Sequence, residues 1–449
     1  MGTPALPSSG AAQALASETA APEPAARPDP AVGGWTLRSC YTLGFLTLIY
    51  AFNTADRNVF GLLMPLMKAE MHLSDTMLGF LSGFAFACFY ALAGLPVAYM
   101  AERWSRRNII AAGFFIWSVM TICAGLVRNV AELVLARFLL GAGEAGGLAP
   151  SNSMVGDLFD KRRRTVALSI LQCANALGIL VAFPVIGWAA AHYGWRRAYF
   201  AAGIPGLVLA LAFLLTVKEP PRGQSDGVDA SKLAPKSFIS TARRLLTSRG
   251  YLFALAASTI LGLTLSGLQT WTPTFLMRLH HLGTQEVGAY TGAIRGPAGI
   301  IGAVSGGLIT SALARSDSRW LVWAPASFMA LIGLSDLLLL LSMGEAGWKF
   351  GMAAETFFTG AQVGPMFGLL LAATDARSRA MATATAMLAL YFIGLTFGPL
   401  LVGSLADLFR PAFGDGGLRL AMLTVGASSF LAALTCLAVG RPDADAAEA

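Results

Sequence analysis

Charge is scarce in this chain of 449 residues. Asp, Glu, Lys and Arg make up 13% of it, where an ordinary soluble protein carries roughly 25%. Apolar residues reach 55% and mean hydropathy is +0.63. That is more apolar matter than one soluble core buries, so a bilayer is the expected solvent. Histidine is scarcer still. His72, His192, His280 and His281 all fall in or near expected loops, so no imidazole is placed to relay protons through the core. The five cysteines (Cys40, Cys88, Cys123, Cys173, Cys436) lack metal-type spacing and sit mostly in apolar segments, which excludes a disulfide framework or zinc site. They read as packing residues. HExxH, GxSxG and GxxxxGK[ST] are all missing, which argues against an intramembrane enzyme and against ATP-driven transport. No catalytic residue, cofactor or metal is expected.

What is present is long apolar runs. A spanning helix needs about 20 mostly apolar residues. Twelve such segments are expected, at about 38–67, 76–100, 108–127, 132–157, 166–191, 197–217, 250–277, 286–313, 321–342, 348–374, 380–407 and 418–440. An even number puts both termini on one side. Loops on that side carry about 21 Lys and Arg against about 8 opposite, so the termini are expected in the cytosol, in a bacterial-type inner or plasma membrane. The net charge of +7 reflects this bias rather than nucleic-acid binding. The Ala- and Pro-rich N-terminus has no h-region and reads as a disordered cytosolic arm rather than a signal peptide. The expected organisation is an arm at 1–36, a six-helix bundle at 37–217, a cytosolic linker at 218–249, a second bundle at 250–440 and a tail at 441–449. Around Ser237–Arg249 the linker reads equally as a surface-lying helix or a solvated connection, its Lys and Arg suiting an anionic leaflet.

The two sets of six echo each other. Arg137-Phe-Leu-Leu-Gly141-Ala-Gly-Glu144, followed by Asp157, aligns with Glu355-Thr-Phe-Phe-Thr-Gly360-Ala-Gln362, followed by Asp375. Asp75-Thr-Met-Leu-Gly79 and Gly83 likewise match Gln285-Glu286-Val-Gly288 and Gly292. Internal symmetry of this kind marks transporters whose site lies at the repeat interface. Small-residue stripes on the eighth segment (Gly292, Gly296, Gly299, Gly302, Gly306) and the eleventh (Gly394, Gly398) suit close helix packing.

A charge at bilayer depth costs about 3 kcal/mol or more and is a candidate functional residue by default. Asp56 and Arg57 lie near the middle of the first segment, about 100° apart around the helix, so they face different ways. Arg137 and Glu144 are two turns apart on one face of the fourth. These four are expected to form a central cluster, with Arg57 or Arg137 bridging to Glu144 or Asp56. With no histidine at depth, any proton carrier is a carboxylate: Asp56 or Glu144 first, Glu355 next. Asn53, Gln269, Thr272, Arg295, Glu355 and Gln362 are candidates to line the substrate cavity. Asp336, on the ninth segment, has no assigned role.

The second loop reads Gly94-Leu-Pro-Val-Ala-Tyr-Met-Ala-Glu102-Arg103-Trp-Ser105-Arg106-Arg107, which resembles the loop signature of the major facilitator superfamily, with Glu102 for the usual aspartate and Ser105 for the usual glycine. Asn53-Thr-Ala-Asp56-Arg57, the run from Arg137 through Gly141, Gly143, Glu144, Pro150, Asp157 and Phe159 to Arg164, and Trp271-Thr-Pro273-Thr-Phe275-Leu276 resemble elements of the Spinster-like subfamily. The resemblance implies an all-α polytopic fold of twelve transmembrane helices in two pseudo-symmetric six-helix bundles. It implies a cytosolic gate in which Glu102 caps the eleventh helix and an arginine of the loop (Arg103, Arg106 or Arg107) reaches Asp157, with Arg164 nearby. It also implies an amphiphilic cargo, since Spinster-like members are associated with sphingolipid and lysolipid export. The expected function is secondary active, alternating-access transport, proton-coupled, by a monomer whose partners are a lipid-like substrate, protons and the bilayer. The rivals are a sugar-acid or small organic-anion symporter, a drug efflux carrier and, more remotely, an intramembrane enzyme or receptor.

Overall fold

The computed structural model describes residues 34–222, 245, 247–372, 374, 385, 386 and 388–440. Residues 1–33 of the expected arm, most of the 218–249 linker with residues 237–244 and 246 of the Ser237–Arg249 stretch, Asp375, most of the opening of the eleventh segment and the 441–449 tail lie outside the described residues. Among the described residues every regular element is helical. In chain order they are α1 (Leu37–Met71), α2 (Asp75–Arg103, interrupted at Gly83), α3 (Arg106–Ala124) and α4 (Val130–Leu158, interrupted after Glu144). Then follow α5 (Lys161–Tyr193), α6 (Trp195–Thr216), α7 (Arg249–Leu279), α8 (Thr284–Ser316), α9 (Trp320–Leu341) and α10 (Glu345–Ala372). The described part of α11 is a π-helical turn, Leu390–Leu395, running into Thr396–Phe413, and α12 is Gly416–Leu437, broken at Ala427.

Ten of these helices are long and apolar enough to cross a bilayer. The other two, α1 and α10, have the length but are not among the ten; α1 carries Asn53, Asp56 and Arg57, and α10 carries Glu355 and Gln362. Local signals set the ends. Thr36 and Ser39 form a reciprocal capping box on α1, and Ser74, Ser105, Asn129, Asp160 and Ser248 each accept from a backbone N–H in the first turn of the next helix. Such caps satisfy donors that no intrahelical carbonyl reaches.

The buried apolar side chains divide unevenly. One cluster joins both bundles: Leu63, Met64 and Met67 of α1 and Phe183 of α5 pack with Trp271 and Phe275 of α7, Val287 of α8 and Val402 of α11. Two further clusters are almost wholly confined to one bundle each, around Phe114, Trp117 and Phe159 in the first and Tyr251, Met329 and Met366 in the second. The joined cluster lies at the ends of α1, α5 and α7 remote from the arginine-rich α2–α3 and α4–α5 loops. The bundles therefore meet at that end.

Glycine permits the meeting. A Cβ at Gly79 would approach the Pro399 carbonyl to 2.5 Å, and one at Gly83 or Gly403 would collide with the carbonyl of Thr396 or Asp75. α5 and α8 cross in the same way, where a Cβ at Gly288 would lie 2.5 Å from the Phe183 carbonyl. Gly403→Val is expected to force α2 and α11 apart. A cysteine placed at Met77 then reacts faster with a bulky maleimide, while an equal rate in both backgrounds counts against this contact as the closure.

Candidate functional site

Helix interruptions position the central charges. α3 and α4 approach at Gly113, Gly143 and Gly146, where a Cβ at Gly113 would lie 2.7 Å from the Gly143 carbonyl. The first part of α4 ends there, with Glu144 as its last residue. Glu144 is fully buried, and its Oε2 accepts from Arg57 Nε at 2.7 Å. The Arg57 side chain is 20% exposed and its guanidinium lies over Phe86 and Tyr90, 5.2 and 4.8 Å from the ring centroids. It thus joins a buried carboxylate to a partly exposed position flanked by aromatic rings. Glu144 Oε1 and Trp117 Nε1 are buried without a hydrogen-bond partner of good geometry, and the Asn53 amide lies beside Glu144. The pair therefore retains bonding capacity for water or a polar ligand.

Asp56 and Arg57 do face apart. Asp56 is buried and accepts from Thr121 Oγ1 of α3 at 3.2 Å. Arg137 forms no ion pair with Asp56 or Glu144. It donates from Nε to the Leu81 carbonyl at 3.1 Å and lies 4.4 Å over the Phe60 ring. That carbonyl belongs to the last turn before the α2 break at Gly83, where helical acceptors lose their partners. Of the bridges expected from the sequence, the structure makes the one from Arg57 to Glu144.

A second charged group occupies the other bundle. Arg295 Nη2 of α8 lies 3.3 Å from Glu355 Oε2 of α10 and 3.3 Å from Thr272 Oγ1 of α7. Gln269 Nε2, Thr356 Oγ1 and Thr359 Oγ1 also donate to Glu355, at 3.2, 3.0 and 3.3 Å. Gln362 is buried with Oε1 unpartnered. Asp336 belongs to this neighbourhood, its charged neighbours being Glu355 and Arg295.

At the basic face, Arg106 is buried and pairs with Asp157, while its Nε donates to Glu219 Oε1 at 2.8 Å. Arg107 N donates to Glu219 Oε2 at 2.7 Å. Glu219 follows α6 and was not foreseen from the sequence. Arg103 stacks on Tyr99 at 3.7 Å, and Arg164 is partly buried at the start of α5. Glu102 is exposed, and the start of the helix it was expected to cap lies outside the described residues. Among the described residues, Arg106 and Arg107 pair within the first bundle.

The opposite face holds a network that the sequence did not single out. Asp75, 2% exposed, takes Lys68 Nζ at 2.6 Å and both Arg278 nitrogens, at 2.8 and 2.6 Å. Asp407 of α11 accepts from Asp75 N at 3.1 Å and from Thr76 N and Oγ1 at 2.7 Å, so it caps α2 from the other bundle. The available signal was Ser74-Asp75-Thr76, a helix start carrying an acid at the edge of an apolar segment.

Two outcomes follow from these pairs. Arg57→Ala leaves Glu144 buried without its cation and is expected to destabilise the protein by about 3–5 kcal/mol, with part recovered in Arg57→Ala/Glu144→Gln. Thermal unfolding of the single and double variants checks this. Burial pushes the Glu219 carboxyl up, but the Arg107 N–H and the Arg106 and Ser105 donors outweigh it and hold it below the ordinary Glu range. A depressed carboxyl stabilises above its unfolded value of about 4.3 and loses that contribution as pH falls through the folded value. The melting temperature of Glu219→Gln should therefore fall below wild type at neutral pH and converge with it in acid.

The comparisons with known proteins agree with this architecture. Residues 46–390 match the model of the Major Facilitator Superfamily. An MFS-type efflux pump of Mycolicibacterium smegmatis is 28% identical over 427 residues, covering 93% of this chain and 96% of the pump. The sphingosine-1-phosphate transporter SPNS2 of Danio rerio is 29% identical over 240 residues, covering 52% of this chain and 47% of that protein. Among solved structures, a bacterial homolog of the human lysosomal transporter Spinster, inward-facing and unoccupied, superposes with TM-score 0.80 at 25% identity, covering 91% of this chain and 98% of that one. With a family match across more than half its length and the twelve-helix fold in place, the chain belongs to the Major Facilitator Superfamily of membrane transporters and is similar to its Spinster-like members.

Proposed function

We propose that the chain is a proton-linked, alternating-access carrier of an amphiphilic organic molecule, with the Arg57–Glu144 pair as its coupling element. The observation that carries this reading is a fully buried carboxylate tied to a partly exposed arginine at a helix break, with one carboxylate oxygen unpartnered. Protonation of Glu144 releases Arg57 toward an anionic head group in the cleft, and loss of the proton draws it back. Asp56 is a second candidate carrier, held by Thr121 rather than by an arginine. Arg295, Gln269 and Glu355 form the opposing wall of the site.

The likeness to SPNS2 and to the Spinster homolog supports a lipid-like cargo. So does a groove of about 880 Å³ between α8, α9 and α10, lined by Ile301, Leu334, Leu338, Phe350 and Phe357, whose dimensions and apolarity suit an acyl chain. The excess of basic residues in the α2–α3 and α4–α5 loops supports a cytosolic basic face. On that reading the bundles are closed on the external side, and Arg106, Asp157 and Glu219 belong to the gate that re-forms when the cytosolic side shuts. One chain holds both bundles, so a monomer suffices.

Flux in proteoliposomes tests this, with lysolipids, sphingoid bases and sugar acids screened with and without a pH gradient. Glu144→Gln is expected to abolish gradient-driven flux while sparing exchange. Unchanged gradient-driven flux in that variant removes Glu144 from the mechanism, and transport of hydrophilic acids alone removes the lipid reading.

A further inference from the structure

The second bundle carries a carboxylate that the reading above does not use. Asp336, on α9, is 2% exposed, and neither of its oxygens has a hydrogen-bond partner. The helices packed against α9 are α8, α10 and α12. Among their described charged residues, Arg295 of α8 and Glu355 of α10 act on Asp336. The others lie toward the helix ends: Glu286 and Arg315 on α8, Glu345 and Lys349 paired on α10, and Arg419 on α12. From α12 the side facing Asp336 is Gly426, where an added Cβ would lie 4.0 Å from Oδ2, at the turn where that helix breaks. Asp336 is thus walled in by apolar packing on one side and by a single ion pair on the other.

The charges do not balance. Arg295 is one cation beside two carboxylates. Glu355 holds it at 3.3 Å and also accepts from Gln269, Thr356 and Thr359, so its charge is dispersed over four donors. Asp336 has none. An ionised carboxylate buried without a donor is far more costly than a neutral acid, and such groups neutralise instead. Arg295 Nε, in turn, is buried without a partner.

We propose that Asp336 is a proton-binding site of the second bundle, occupied in the conformation seen here. Asp336 holds one proton as a neutral acid while Arg295 serves Glu355. When the proton leaves to water, Arg295 turns to the new carboxylate, and Glu355 keeps its three neutral donors. The net charge of the group then changes by one, and the guanidinium that moves belongs to the wall of the cleft. The site deepens the proton-linked reading and rests on it for its role in coupling, but its occupancy by a proton is measurable without transport.

The test is pH-difference infrared spectroscopy on the purified full-length protein, in sodium-free buffer and again with added NaCl. Wild type is expected to show the C=O band of a buried protonated carboxyl that Asp336→Asn lacks and Glu144→Gln retains. Asp336→Glu, which keeps the acid, should shift that band rather than delete it, and serves if the Asn variant does not fold. A band that persists unchanged in Asp336→Asn overturns the proposal. So does its loss at constant pH on adding Na⁺, which would make this a metal-cation site. Were Glu144→Gln to leave flux unchanged while the Asp336 band behaved as expected, the first-bundle mechanism would fall and this site would stand.

Discussion

Everything at the centre of this molecule follows from one constraint: a charge in a low-dielectric bundle must find a partner on another helix, either a polar side chain or a carbonyl released where a helix is interrupted. Glu144 closes the first part of α4 and takes Arg57 from α1. Arg137 has no carboxylate partner and uses a carbonyl released at the Gly83 break of α2. Near those breaks glycines let helices approach to backbone distance, as at Gly113 against Gly143. Close packing, helix discontinuity and buried charge are one arrangement seen three ways.

The same logic, applied at the two faces, gives the molecule its asymmetry. Where the bundles touch, an acid from one caps a helix of the other, with Asp407 closing the start of α2 and Asp75 gathering Lys68 and Arg278. At the basic face, among the described residues, Arg106 pairs within its own bundle, with Asp157 and Glu219. Hydrophobic packing follows suit, with one shared cluster at the closed end and two private ones beyond it. A carrier needs interfaces of this kind, strong enough to hold and built from a few breakable pairs.

The bundles are related by repeat but not in their electrostatics. Arg57 and Arg137 accompany Asp56 and Glu144 in the first, whereas Arg295 alone accompanies Glu355 and Asp336 in the second. The internal echo in the sequence aligned Arg137 with Glu355 and Glu144 with Gln362, which conserves polarity and position but not sign. The two halves therefore differ in charge as well as in sequence.

Hydropathy and caps made the helices legible in the sequence, because a bilayer demands long apolar runs and each helix start needs a local acceptor. The charged candidates were equally legible, since their cost at depth singles them out wherever they appear. What one dimension could not give was pairing. Whether Arg57 or Arg137 met Glu144 depended on a helix break made by a neighbouring helix's glycine. Asp336 had no assigned role until α8, α10 and α12 enclosed it, and Asp407 acquires one only where the opposite bundle places the start of α2 against it. The sequence by itself determined how many helices cross and which residues are too costly to be idle. Only the tertiary structure decided which charges meet, because partners in a low-dielectric interior are chosen across helices, by distances of a few ångströms that no spacing along the chain encodes.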